Sequence, residues 1–220
     1  MTRRGGLFIT FEGTDGSGKT TQIRLLRERL MREGYEVVET AEPGGPPIGV
    51  QIRRILLDPA NQELDPRAEL LLYFASRAQN VAECIVPALK AGKVVVCDRF
   101  TDSTVVYQGA GRGLGQEVVE ALHQVACGTL QPDITLYLDI DLETSLDRAR
   151  QRNESQAGPA ESRMDDQSVE FHRAVRDGYL KLAAREPGRV RVIDAGHDAA
   201  TVEQAIWEQV APLLETARVR

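Results

Sequence analysis

The stretch Gly13-Thr14-Asp15-Gly16-Ser17-Gly18-Lys19-Thr20 constrains the fold of this chain more than any other. Its spacing is G-x-x-x-x-G-K-T. It follows the apolar run Leu7–Phe11 and opens into a helical pattern carrying Ile23, Leu26 and Leu30. Glycines at such a strand-to-helix turn let backbone N–H groups wrap an anion, and the helix N-terminus adds its positive end. Lys19 is placed to bridge β- and γ-phosphates, and the Thr20 hydroxyl to ligate Mg²⁺. A nucleoside triphosphate is therefore expected against Gly13, Thr14, Asp15, Gly16, Ser17, Gly18, Lys19, Thr20 and Thr21. The loop does not say whether water, a sensor or a second substrate meets the γ-phosphate.

The rest of the chain alternates strand and helix patterns. Strand-like runs lie at Leu7–Phe11, Tyr35–Thr40, Lys93–Cys97, Ile134–Asp139 and Val190–Asp194, and several are near-continuous apolar stretches, which suits parallel strands covered on both faces. Helical periodicity follows the loop up to Gly34. It recurs over Asp65–Lys90, Gln116–Ala126, Leu142–Arg152, Ser168–Arg185 and Ala199–Ala217. This alternation predicts an α/β fold with a doubly wound parallel sheet. No repeat or linker divides the chain, so residues 1–220 are expected to form one domain.

Three further segments bear on chemistry. Val94-Val95-Val96-Cys97 runs into Asp98 and Arg99. An acid at the carboxyl end of a buried strand lies where open α/β sheets bind ligands, and it can hold Mg²⁺. Arg99 beside it offers a planar fork to a second phosphate. Glu42-Pro43-Gly44-Gly45 forms a turn at the end of the second strand pattern. Asn153 to Ser162 is polar and small, bracketed by Arg148, Arg150 and Arg152 before it and Arg163 after it. That composition suits a mobile surface loop, or a lid over about 148–165 closing on phosphates.

Several function classes are excluded. The net charge of −6 disfavours a binder of nucleic acid polymers. Three cysteines without paired spacing, Cys84, Cys97 and Cys127, build neither a disulfide framework nor a zinc site. No apolar run approaches ~20 residues, so no membrane span is expected, and a cytoplasmic location is. No asparagine begins an Asn-Lys-x-Asp guanine motif, and Thr14 and Asp15 stand where a partition-type ATPase carries a lysine. A compact ATPase or a small-molecule kinase remains. A second supply of arginines, Arg99 and the lid set, points to two phosphate-bearing substrates and hence to a kinase.

The run Asp98-Arg99-Phe100-Thr101-Asp102-Ser103-Thr104-Val105-Val106-Tyr107-Gln108-Gly109 closely resembles the signature of the thymidylate kinase family. So do Phe8-Ile9-Thr10-Phe11-Glu12-Gly13, Glu42-Pro43-Gly44-Gly45, Leu136-Tyr137-Leu138-Asp139 and Val192-Ile193-Asp194-Ala195. The resemblance runs from about residue 5 to 215. It implies a P-loop three-layer sandwich: a five-stranded parallel sheet, helices on both faces and a short mobile lid. It also implies a homodimer, and transfer of the γ-phosphoryl group of ATP, with Mg²⁺, to dTMP. Another nucleoside monophosphate or deoxynucleoside kinase is the alternative, followed by a P-loop regulatory ATPase.

The resemblance also implies site roles. Arg99 and Arg53 would grip the dTMP phosphate, near Glu42 and Pro43. Phe74 would stack on thymine and Arg77 would reach a thymine carbonyl, with Ser103, Thr104 and Gln108 completing the base pocket. Tyr107 would lie against the sugar and exclude a 2′-hydroxyl, and Asp15 would approach the 3′-hydroxyl or the acceptor end. Arg148 would pack on adenine, whose edge would meet the backbone near Ala195 and Gly196. Thr20 and Asp98 would organise the metal. Lys19, Arg152 and Arg163 would supply transition-state cations. By spacing alone, Phe74 belongs to an apolar helix stripe. The chain departs from many relatives at Ala41, where an arginine is common, and at Pro46-Pro47, which stiffen the turn.

Overall fold

The computed structural model describes residues 5–155, 163–164 and 167–218; of 149, 150, 152–155 and 216–218 it describes the backbone alone. Five strands form one parallel sheet: β1 (Leu7–Glu12), β2 (Val37–Ala41), β3 (Val94–Asp98), β4 (Ile134–Asp139) and β5 (Val190–Asp194). Their order is β2-β3-β1-β4-β5. From β1 the chain crosses to the edge strand β2, returns inward to β3, and then passes to the other side of β1 through β4 to β5. This places the topological switch, and the expected ligand crevice, at the carboxyl end of β1.

Alternation along β1 builds both faces. Leu7, Ile9 and Phe11 join Val94 and Val96 beneath α1 (Lys19–Arg32) and α9 (Ala199–Arg218), with Ile23, Leu26, Leu30, Val202 and Ile206 filling the layer. Phe8, Val95 and Cys97 face the other way, against Ile85, Leu89 and Phe100. Cys97 is fully buried, and burial drives its thiol pKa well up, so it acts as a small apolar residue. The expected three-layer arrangement is the one found. Among the described residues no helix is long and apolar enough to cross a membrane.

The helix expected over Asp65–Lys90 is a continuous run. Its parts are α3 (Pro66–Asn80), a π stretch Val81–Ile85 and α4 (Val86–Lys90). Asp65 caps it, accepting from the Arg67 and Ala68 N–H groups. Pro87 lacks an N–H to continue the α ladder, which accounts for the loosened turn before it. Two helical segments escaped the periodicity. One is α2 (Pro47–Leu57), which starts on proline with Pro46 as its N-cap. The other is the run from α5 (Thr101–Thr104) through the π segment Val105–Gly111. The remaining helices are α6 (Gln116–Cys127), α7 (Leu142–Ser155) and α8 (Val169–Arg185).

Candidate active site

A cavity of about 400 Å³ opens where β1 and β3 end. Asp15, Gly16, Gly18, Lys19, Thr20 and Thr21 form one wall. Glu42, Pro43, Arg53, Asp98 and Arg99 form the floor, and Tyr73, Arg77, Ser103, Thr104, Tyr107, Gln108, Leu57 and Met164 form the far end. One space thus joins the phosphate loop to the residues expected to hold an acceptor.

The loop is braced from behind. Gly13, Gly16 and Gly18 all have positive φ. At Gly16 a Cβ would run into the Ser145 carbonyl oxygen and come within 3.1 Å of the Arg148 Cβ, so α7 lies directly against the loop. The Ser145 hydroxyl pairs with Thr14 Oγ1 at 2.7 Å and is 2.6 Å from the Asp15 carbonyl oxygen. Lys19 is buried and its ammonium donates to the Gly13 and Thr14 carbonyl oxygens at 3.1 and 2.9 Å. Burial first, then the Arg99 charge, lowers its pKa. Ser17 Oγ is buried without a partner among the described residues.

Arg99 sits at the turn after β3 with φ 67°, left-handed for a residue with a side chain. Such a conformation costs on the order of 1 kcal/mol and persists only where the surroundings hold it. Here the Arg99 N–H donates to the Phe11 carbonyl at 2.9 Å. The next N–H, of Phe100, donates to Glu12 at 2.8 Å. The guanidinium then lies over the Tyr107 ring at 5.1 Å and reaches Asp15 and Ser103, both at 3.3 Å.

Glu12 is the hub beneath this turn. It is completely buried, and it also accepts from the hydroxyls of Ser103 and of Tyr179, the latter at 2.7 Å. Burial, reinforced by the Asp102 charge, raises its carboxyl to about 7. Periodicity gave no sign of this role, although an acid ending a buried apolar strand was itself a signal. Arg53 donates to the Pro43 carbonyl at 2.9 Å, which holds it at the floor.

The far end is polar and rigid. Arg77, 1% exposed, donates to Glu42 at 2.5 Å, to the Phe100 carbonyl at 3.1 Å and to Thr104 at 3.0 Å. Its Nη1 is buried with no partner among the described residues. Asn80 secures Glu42 from the other side at 3.0 Å. Burial raises the Glu42 pKa, with Arg77 and Asn80 opposing it. Asp98 lines the cavity too, and its buried Oδ1 has no partner among the described residues.

The structure redistributes some expected residues. Phe74 does not line the cavity; it packs with Leu70 and Val119 between α3 and α6, under the Arg77 guanidinium. Tyr73, one residue earlier and one helical turn from Arg77, lines the cavity in its place. Burial raises its phenol to about 12, so the ring is neutral. Arg163 is 1% exposed, with its guanidinium bound to Glu69 at 2.7 Å and to the Leu56 carbonyl at 2.5 Å. It stands outside the cavity wall, while its neighbour Met164 lines it. Ala195 and Gly196 lie beyond the cavity, with their N–H groups taken by Asp139 and Asp194. The Arg152 side chain and lid residues 156–162 and 165 lie outside the described residues.

A sequence model described as thymidylate kinase matches residues 11–206. The chain is 52% identical over 205 residues to the thymidylate kinase of Pelobacter propionicus, covering 93% of this chain and 94% of that one. It is 53% identical over 204 residues to the thymidylate kinase of Trichlorobacter lovleyi, covering 93% and 96%. The crystal structure of thymidylate kinase from Ehrlichia chaffeensis superposes with a TM-score of 0.77 at 34% identity, covering 94% of this chain and 99% of that one. With family match, sequence relatives and fold in agreement, this chain belongs to the thymidylate kinase family.

Proposed function

We propose that this protein transfers the γ-phosphoryl group of ATP to the 5′-phosphate of dTMP, giving dTDP and ADP, within a single domain of residues 1–220. The observation that carries the reading is the shared cavity. It is lined by Lys19 and the loop, by Arg99 and Arg53, and by Arg77, whose buried Nη1 has no partner among the described residues. The acceptor phosphate is already an anion, so no general base is needed. The work is to bring two anions into line and neutralise them.

In this reading Lys19 leaves the Gly13 and Thr14 carbonyls for the β- and γ-phosphates, and Arg99 and Arg53 fix the acceptor phosphate. The Tyr73 ring covers the base, Arg77 Nη1 donates to a base carbonyl, and Tyr107 fills the space of a 2′-hydroxyl. Asp15, held by Arg99, faces the sugar. Arg148 flanks adenine, and Arg152 supplies a lid cation. Thr20 and Asp98 would hold Mg²⁺. A buried, unpartnered carboxylate oxygen beside phosphates suits an ion that takes few protein ligands. The ion, when bound, supplies charge neutralisation on phosphate oxygens.

We further propose a cytoplasmic homodimer, in keeping with the free thiols of Cys84, Cys97 and Cys127. Leu71 on α3 and Val118 and Val125 on α6 are exposed apolar groups on two helices packed together, a surface a second copy would cover. ADP release from Mg·ATP should depend on dTMP among the nucleoside monophosphates. Release indifferent to every monophosphate would reject the reading.

A further inference from the structure

Glu69 lies on α3 away from the phosphates, 1% exposed, yet three side chains converge on it. Its Oε1 accepts from Gln108 Nε2 at 2.8 Å, and its Oε2 from Arg163 Nη2 at 2.7 Å. Arg112 contributes longer contacts to both oxygens at 3.4 Å. A carboxylate held by two arginines is an acceptor and nothing else. The Gln108 amide therefore has one permitted orientation: its NH₂ is turned to Glu69, and its carbonyl oxygen is left for the cavity that Gln108 lines.

We infer that Glu69 is a positioning residue for base choice: it locks Gln108 with its oxygen toward the cavity, so the pocket demands a ring N–H donor there. The inference rests on the proposed reading of this cavity as the dTMP site. Arg77 lines the same cavity, and its Nη1 has no partner among the described residues. A donor and an acceptor offered to one base complement a ring carbonyl next to a ring N–H, the imide edge of thymine and uracil. Cytosine carries the reverse, an amino group next to an unprotonated ring nitrogen, and would leave both protein groups facing like partners.

The logic predicts what a neutral Glu69 would do. In Glu69→Gln the arginines, donors only, claim the new amide oxygen. Its NH₂ must then find an acceptor, and the one within reach is the Gln108 oxygen. Gln108 would turn over and present its NH₂ to the base.

The experiment compares kcat and KM for dTMP and dCMP in the wild type and in Glu69→Gln, with N3-methyl-dTMP as a competitor of the wild type. Glu69→Gln should narrow the dTMP:dCMP ratio of kcat/KM by at least ~10-fold, mainly through the KM for dTMP. A purely structural role would lower both substrates together and leave the ratio unchanged, and that result overturns the inference. Should Glu69→Gln not fold, Gln108→Leu, which keeps the Glu69–Arg163 pair, should narrow the same ratio. In the wild type, N3-methyl-dTMP should bind at least ~10-fold more weakly than dTMP, because the pocket oxygen meets a methyl group. Equal binding overturns the inference whatever the variants do. Failure of the wild type to phosphorylate dTMP at all would instead reject the functional reading, and this inference with it.

Discussion

The Glu12 carboxylate accepts the Phe100 N–H at 2.8 Å across 88 residues of sequence, and so holds the peptide that follows the left-handed Arg99. The strand that feeds the Gly13–Thr20 loop thereby also fixes the turn that carries Arg99. The loop and the Arg99 turn share one buried carboxylate.

That carboxylate should leave a mark on stability against pH. Its pKa is raised to about 7 from 4.5, so between those values the native state holds a proton that the unfolded chain has lost. Stability from this group therefore falls as pH rises through that window and is level above it, by roughly 3 kcal/mol in all. Glu12→Gln should lack this slope. Urea unfolding of both proteins from pH 5 to 8 tests it; a constant difference between them would contradict the assignment.

Lys19→Ala removes the loop's one side-chain cation. We expect kcat to drop by at least ~10²-fold, as for loss of a pre-aligned transition-state donor. Steady-state turnover near the wild-type value would sink the role.

Tyr73 and Phe74 should separate cleanly. Tyr73→Leu should raise KM for dTMP by at least ~5-fold, with little change in thermal stability, since a stacked aromatic is worth about 1 kcal/mol or more. Phe74→Ala should instead cost about 3–5 kcal/mol of stability as a core truncation, with KM for dTMP unchanged in the folded protein. The opposite pattern would return the base to Phe74.

Tyr107 is buried beneath the Arg99 guanidinium. Tyr107→Ala should improve kcat/KM for ribothymidylate relative to dTMP by ~10-fold or more, since a steric exclusion is relieved. Unchanged discrimination, measured with the two substrates in competition, would remove Tyr107 from sugar selection.

The sheet was legible because β1, β3 and β4 are near-continuous apolar runs, and the loop because glycine and lysine spacing is tied to phosphate geometry. The helix Pro47–Leu57 was not, because Pro46, Pro47 and Gly49 resemble a turn, although proline is favourable in a first helical turn. The Thr101–Gly111 segment was hidden by hydroxyls and glycines whose partners come from elsewhere: Glu12 for Ser103, Arg77 for Thr104, Glu69 for Gln108. Residues 73 and 74 both fall within a turn of Arg77, and only packing decides which ring meets the cavity. Glu12 and Glu69 act through partners distant in sequence; the acid at the end of an apolar strand was the one local signal for Glu12, and Glu69 had none.

In the β1–β3 ladder Phe11 stands opposite Asp98, and Arg99 N–H bonds to the Phe11 carbonyl at 2.9 Å. The gap a phosphoryl group must cross is therefore gauged by peptide planes rather than by rotamers. Surface loops can lengthen around this seam without touching it. One residue inserted into either strand would shift the two halves by about 3.3 Å, as far as the whole approach of nucleophile to phosphorus allows.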